Sequence, residues 1–194
     1  MNGGRESKRA KLLAIAGHVI QKQGIRKTTL EDIGRAAGMA IPSMYYYFTG
    51  KEDLFRGVFS MLVDRVMEES HAAVDAAGTP PQKLQALWKV LFSAASRYGL
   101  VLDVTAGVKA EILVLAEDLI QELERRQRDL LRTILVEGIE QGVFDIEDLD
   151  LAATAITSAA IGLIIATAGE DRFHLFEGRI DVLGNLLIHG LLRR

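Results

Sequence analysis

Apolar side chains recur at three- and four-residue intervals along almost the whole chain, and no stretch alternates at the two-residue period of a half-buried strand. That periodicity restricts the 194-residue sequence to an all-α fold with breaks only at glycines and prolines. Leu12, Leu13, Ala16, Val19 and Ile20 share one face of a helix read over 7 to 23, and Gly24 suits its C′ position. A second helix opens at "TTLED". Glu31 stands three residues after Thr28 and Asp32 three after Thr29, so either threonine can head a capping box. This helix turns Leu30, Ile33 and Ala37 inward and stops at Gly38.

A very short third helix is expected over 41 to 48, and "TGKEDL" starts a long fourth with Leu54, Val58, Phe59, Leu62 and Val66 in phase. After Pro80 and Pro81 a fifth helix carries Leu84, Leu87, Trp88, Leu91 and Phe92. One or two shorter helices are read near 98 to 115. A long amphipathic helix then ends at Gly142, and helices of about 148 to 168 and 175 to 192 finish the chain.

Residues 151 to 168 carry no charge, which matches the bare length of a membrane span. Thr154, Thr157, Ser158 and Thr167 interrupt this alanine-rich stretch, and acidic clusters flank it in place of basic and aromatic anchors. It reads as a helix buried on nearly all sides, with side chains small enough for another helix to approach closely. No membrane segment is expected.

With no cysteine, the chain has no disulfide framework and no thiolate chemistry, which suits a reducing cytosol. The first residues lack the apolar core of a signal peptide, so the expected location is cytoplasmic. The net charge of −3 conceals an imbalance between the ends. Up to residue 53 there are nine Lys/Arg against five Asp/Glu, net +4, and the remainder holds 14 against 21, net −7. A basic first part on an acidic body points to a polyanion partner for that part alone.

Two helices joined at a glycine within about twenty residues form a helix-turn-helix, whose second helix enters the DNA major groove. The third helix makes this specific, because "IPSMYYYF" holds three of the chain's four tyrosines. Successive helical residues turn by about 100°. Met44 and Phe48 therefore share the core face, Tyr46 points roughly opposite, and Tyr45 and Tyr47 project to either side. Half-burial accounts for the flanking pair as amphipathic aromatics but leaves Tyr46 without a purpose. In a groove, Tyr46 faces bases or sugars and the flanking hydroxyls reach phosphates; Pro42 and Ser43 join the same outward surface. Lys51, at the start of the fourth helix, adds a point charge where the helix dipole already favours an anion.

The stretch "TTLEDIGRAAGMAIPSMYYYFTGKEDLF", 28 to 55, resembles the TetR family of transcriptional regulators: a Thr-Thr start, an Ile-x-x-x-Ala-Gly turn, a tyrosine-rich recognition helix and a Lys-Glu-x-Leu opening of the fourth helix. The resemblance implies a helix-turn-helix DNA-binding domain over 1–52 and a helical effector-binding and dimerisation domain over 53–194. It assigns Thr29, Ser43, Tyr45, Tyr47 and Lys51 to the DNA backbone, and Ile41, Pro42 and Tyr46 to bases. It also implies a homodimer through the last two helices, operator DNA as partner, and a repressor released by a small, largely apolar molecule. Two departures stand out. Ala40 replaces the usual serine cap, which Pro42 in the first turn partly offsets, and Ile41 replaces a residue that is often polar, so apolar readout is expected there.

Met61, Trp88, Phe92 and Leu115 are the candidates for lining an effector pocket, although aromatics and Met at helical spacing are more often core. The four histidines, 18, 71, 174 and 189, lack metal-ligand spacing, so no metal and no cofactor is expected. "DIEDLD", 145 to 150, fails the EF-hand pattern and reads as a cap for the next helix. "ERRQR", 124 to 128, reads as a solvated face. No nucleophile elbow, P-loop, dinucleotide fingerprint or zinc motif appears, which argues against an enzyme. An all-helical enzyme or a small-molecule-binding protein without DNA binding is the alternative.

Overall fold

Glycines and prolines set most of the helix ends in the computed structural model, which describes residues 3–102, 109–167 and 180–192. Among these residues are eight helices: α1 (Gly3–Gln23), α2 (Leu30–Ala36), α3 (Ile41–Tyr47), α4 (Lys51–Asp75), α5 (Pro80–Leu102), α6 (Lys109–Glu140), α7 (Leu149–Thr167) and α8 (Ile180–Leu191). The all-α reading holds: the β-pairing described is one isolated bridge between Phe144 and Leu192.

The expected short helices near 98 to 115 are not separate elements. Residues up to Leu102 continue α5, and those from Lys109 open α6. Gly99 lies inside α5. An interior glycine costs a helix only about 1 kcal/mol, too little to end one that packing already holds. Asp148 caps α7 as read, accepting from the Leu151 amide at 2.9 Å.

The chain groups into two compact units, one of Met1–Asp64 with Tyr98–Leu119, the other of Arg65–Arg97 with Ile120–Arg194. The first unit buries Leu12, Ala16, Ile20, Ile33, Met44, Phe48, Leu54 and Val58. These are the positions that helical spacing turns inward.

The second unit has its own apolar core, with Met67, Val74, Leu84, Trp88, Phe92, Leu131, Ile134 and Leu135 among its buried members. Trp88 and Phe92 stack with ring centroids 5.7 Å apart and planes 18° from parallel. Lys83 reaches Glu137 at 2.6 Å, tying α5 to α6. The "ERRQR" segment departs from expectation. Arg125 lies at the surface, paired with Glu122 and Asp129, but Gln127 is buried at 6% exposure. It stands four residues after Leu123 and three and four before Leu130 and Leu131, on the apolar side of α6.

Candidate nucleic-acid interface

The geometry of the first unit is set by how α2 ends and α3 begins. Gly38 has φ +64°, a conformation that a Cβ disfavours, and it sits at the C′ position of α2. The Gly38 amide donates to Arg35 O at 3.2 Å and the Met39 amide to Gly34 O at 2.8 Å, the paired bonds of a Schellman motif. Two residues later α3 starts in a new direction. Gly34 makes the close approach possible, because a Cβ there would stand 3.1 Å from Met39 O and 3.3 Å from Met44 Cγ.

Thr29 heads α2. Its hydroxyl accepts from the Asp32 amide at 3.1 Å and donates to Asp32 Oδ2 at 2.7 Å, while its own amide donates to the same carboxylate at 3.0 Å. The hydroxyl and then the amide of Thr29 hold the Asp32 carboxyl below the usual carboxylate range. Thr28, the other capping candidate, is fully buried and donates to Gly24 O at 2.8 Å, closing the link from α1. Two threonines in tandem thus do different jobs.

The N-cap of α3 is Ala40, with φ −68° and ψ 144° and no side-chain bond. Pro42 removes one of the orphan amides, and the Ser43 amide donates to Ala40 O at 2.9 Å. So the serine cap is missing, but little of what it would satisfy remains. The inward face of α3 is Met44 (0%), followed by its C-cap Phe48 (1%). Outward stand Tyr46 (61% exposed), Tyr45 (58%) and Ile41 (41%), with Pro42 and Ser43 exposed beside them and Tyr47 half-buried. The Tyr46 and Tyr47 rings meet edge to face at 5.0 Å.

Lys51, in the first turn of α4, is partly held by the protein itself. Its ammonium donates to Arg26 O at 3.2 Å and lies 5.1 Å from the Phe55 ring centroid. Asp53, in the same turn, folds back to accept from the Thr49 amide at 2.9 Å and from Arg9 at 3.0 Å. An ammonium has three donors, so the Arg26 bond leaves capacity for an anion.

One participant was not singled out from the sequence. Arg5 in α1 donates to the Tyr46 carbonyl at 3.1 Å and holds its guanidinium 4.8 Å from the Tyr46 ring centroid. The only sequence signal was its place in the basic run Arg5, Lys8, Arg9 and Lys11.

Seven of the eight expected DNA-contact residues cluster on α3 or within a turn of it along the chain, and Thr29 stands at the head of α2. The pocket candidates are less united. Trp88 and Phe92 meet in the second unit's core, whereas Met61 is half-buried in the first unit, 3.9 Å from where a Gly17 Cβ would stand. The Leu115 side chain lies outside the described residues.

Residues 12–58 match the family "Bacterial regulatory proteins, tetR family", a span that holds the whole helix-turn-helix just described. The chain belongs to the TetR family. Its relatives include the transcriptional repressor KstR2 of Mycobacterium tuberculosis, 28% identical over 156 residues and covering 75% of this chain and 72% of KstR2. The fatty acid metabolism regulator protein of Bacillus subtilis is 27% identical over 141 residues, covering 71% and 72%. Among solved structures, a TetR-family regulator from Pectobacterium atrosepticum superposes with a TM-score of 0.77 at 20% identity, covering 100% of this chain and 98% of the other. The fold likeness thus extends through the helical body. As a TetR family member the chain is a helix-turn-helix transcriptional regulator that binds operator DNA, in a family of regulators and not of enzymes. Among the described residues, no helix is long and apolar enough to cross a membrane.

Proposed function

We propose that this regulator is a cytoplasmic, homodimeric repressor that grips its operator with the helix-turn-helix of 1–52 and is released when a small, largely apolar ligand occupies the body of 53–194. The observation that carries the DNA reading is the exposed tyrosine face of α3. Two large aromatics more than half exposed on a seven-residue helix bury little of their apolar area in the fold, and they suit a surface that works in a groove. Tyr46, Ile41 and Pro42 face bases. Thr29, Ser43, Tyr45, Tyr47 and Lys51 address the phosphates; Thr29 does so with a hydroxyl already committed to capping, and so chiefly by placing α2.

The dimer runs through α7 and α8. Its support is the uncharged, small-residue run of 151 to 168, whose Leu151 is left 66% exposed by the single chain. The apolar character of the ligand draws on the relatives: the solved M. tuberculosis protein is described as a ketosteroid transcriptional regulator, and the B. subtilis one as a fatty acid metabolism regulator. Of the pocket candidates Met61, Trp88, Phe92 and Leu115, the stacked Trp88 and Phe92 are the strongest.

Tyr46→Ala and Lys51→Ala test the assignment of roles. The preferred duplex, selected by the full-length protein from a random library, is compared with a shuffled duplex across a salt series. Tyr46→Ala lowers the preference by about 1–3 kcal/mol. Lys51→Ala weakens both duplexes alike and reduces the salt slope by about one. Equal losses of discrimination from the two variants would contradict the assignment.

A further inference from the structure

The second unit hides a polar couple in an apolar interior. Ser70 on α4 is fully buried, and Gln127 on α6 is 6% exposed. Gln127 Nε2 donates to Ser70 Oγ at 3.2 Å, and Ser70 Oγ donates to Val66 O at 2.8 Å. A serine has one proton; Ser70 gives it to Val66 O, and its oxygen accepts from the Gln127 NH2. Gln127 Oε1 is the atom left over: buried, with no hydrogen-bond partner.

The surroundings do not explain it. On α6, Gln127 stands in line with Leu123, Leu130 and Leu131, and on α4, Ser70 stands between Met67 and Val74. These belong to or pack against the core that holds the Trp88 and Phe92 stack. A pair of apolar residues in the two places would serve the fold at least as well, because replacing both partners of a buried hydrogen bond can be neutral or stabilising, whereas an orphaned acceptor is a standing cost. A bound water is a poor answer. It needs two to four polar partners, and apart from Ser70 the residues in phase with Gln127 on α6 and with Ser70 on α4 are apolar. Arg128 Nε, also buried and unpartnered, stands about 100° round α6 from Gln127.

We propose that Gln127 Oε1, oriented by Ser70, is the polar anchor for the effector. The ligand is an apolar molecule that presents one hydrogen-bond donor, a hydroxyl or an amine, to this acceptor. A carboxylate does not fit this point, since two acceptors repel. The inference rests on the effector reading above and sharpens it from an apolar ligand to an apolar ligand with a donor.

Decanol and decyl methyl ether provide the test, because both are apolar and carry one oxygen, but only the alcohol can donate. Binding to the full-length protein is followed by the fluorescence of Trp88, the chain's single tryptophan, which sits in the same core. The wild type binds the alcohol about tenfold more tightly than the ether, the value of one added hydrogen bond. Gln127→Leu, checked for an undiminished melting temperature, binds both with the affinity of the ether. If Gln127→Leu fails to fold, the alcohol-to-ether ratio in the wild type decides alone. Equal affinities for the two compounds in the wild type overturn the anchor and leave the apolar effector standing. Binding of neither compound removes both.

Discussion

Gly34→Ala sets two effects of similar size against each other, and the structure decides the sign. Gly34 lies inside α2, where alanine is the better helix former by about 1 kcal/mol. Judged as an isolated helix, the substitution stabilises. In the folded unit, however, a Cβ at this position would stand 3.1 Å from Met39 O and 3.3 Å from Met44 Cγ. Neither atom can yield cheaply. Met39 is held by its amide bond to Gly34 O at 2.8 Å, and Met44 is fully buried as the inward anchor of α3. Overpacking a site of this kind costs about 1–3 kcal/mol, so the propensity gain is outweighed and the net loss is about 1 kcal/mol. For a chain of this length, that lowers the melting temperature by about 2–4 °C. The strain falls on the turn that aims α3, so binding to the selected duplex drops more than binding to the shuffled one. Thermal melting by circular dichroism, with titrations of both duplexes, reads the two consequences. A melting temperature that rises in Gly34→Ala refutes the close approach on which the reasoning depends.

Thr29→Ala removes the hydroxyl of the capping box and costs about 1 kcal/mol at neutral pH, measured by urea unfolding. Because Thr29 holds the folded Asp32 carboxyl below its unfolded value, the stability it contributes is present above about pH 4 and is lost as the pH falls through the lower folded pKa. The gap between wild type and Thr29→Ala therefore narrows in acid, and a gap that is constant or widens there contradicts the account. Ala40→Ser restores the missing cap but gains only about 0.5 kcal/mol, the low end for a cap, because Pro42 has no amide and the Ser43 amide is already bonded to Ala40 O; a gain well above 1 kcal/mol in the same urea assay counts against that reason.

What could be read in the sequence, and what could not, follows the range of the interactions involved. The helix-turn-helix was legible because its parts are local: the Gly38 turn, the acid three residues into α2, and Met44 and Phe48 one turn apart. The choice between Thr28 and Thr29 as cap was not, since both have an acid in the right place; burial of Thr28 against Gly24 O settles it, and that depends on where α1 ends. Arg5 and Tyr46 are 41 residues apart, so no spacing rule brings them together. Gln127 was hidden by its company. Four charged neighbours in "ERRQR" suggest solvent, and only the phase of Leu123, Leu130 and Leu131 shows that every fourth residue there turns inward.

The brevity of α3 explains why fold and recognition can be separated along it. Seven residues are about half the length at which an isolated helix becomes even marginally stable in water. The helix therefore exists because the unit around it buries Met44 and Phe48 and because the Gly38 turn delivers the chain at the right angle. None of those contacts uses the side chains of Ile41, Tyr45 or Tyr46. The residues that hold the helix in place, Met44 and Phe48, stand one turn apart with outward-facing residues before and between them, so the outward ones can change the sequence being read without unfolding the reader. The Arg5 contact qualifies this. By gripping both the ring and the carbonyl of Tyr46, α1 restricts the most exposed of the α3 tyrosines before any DNA arrives, and less side-chain entropy is then lost when it docks.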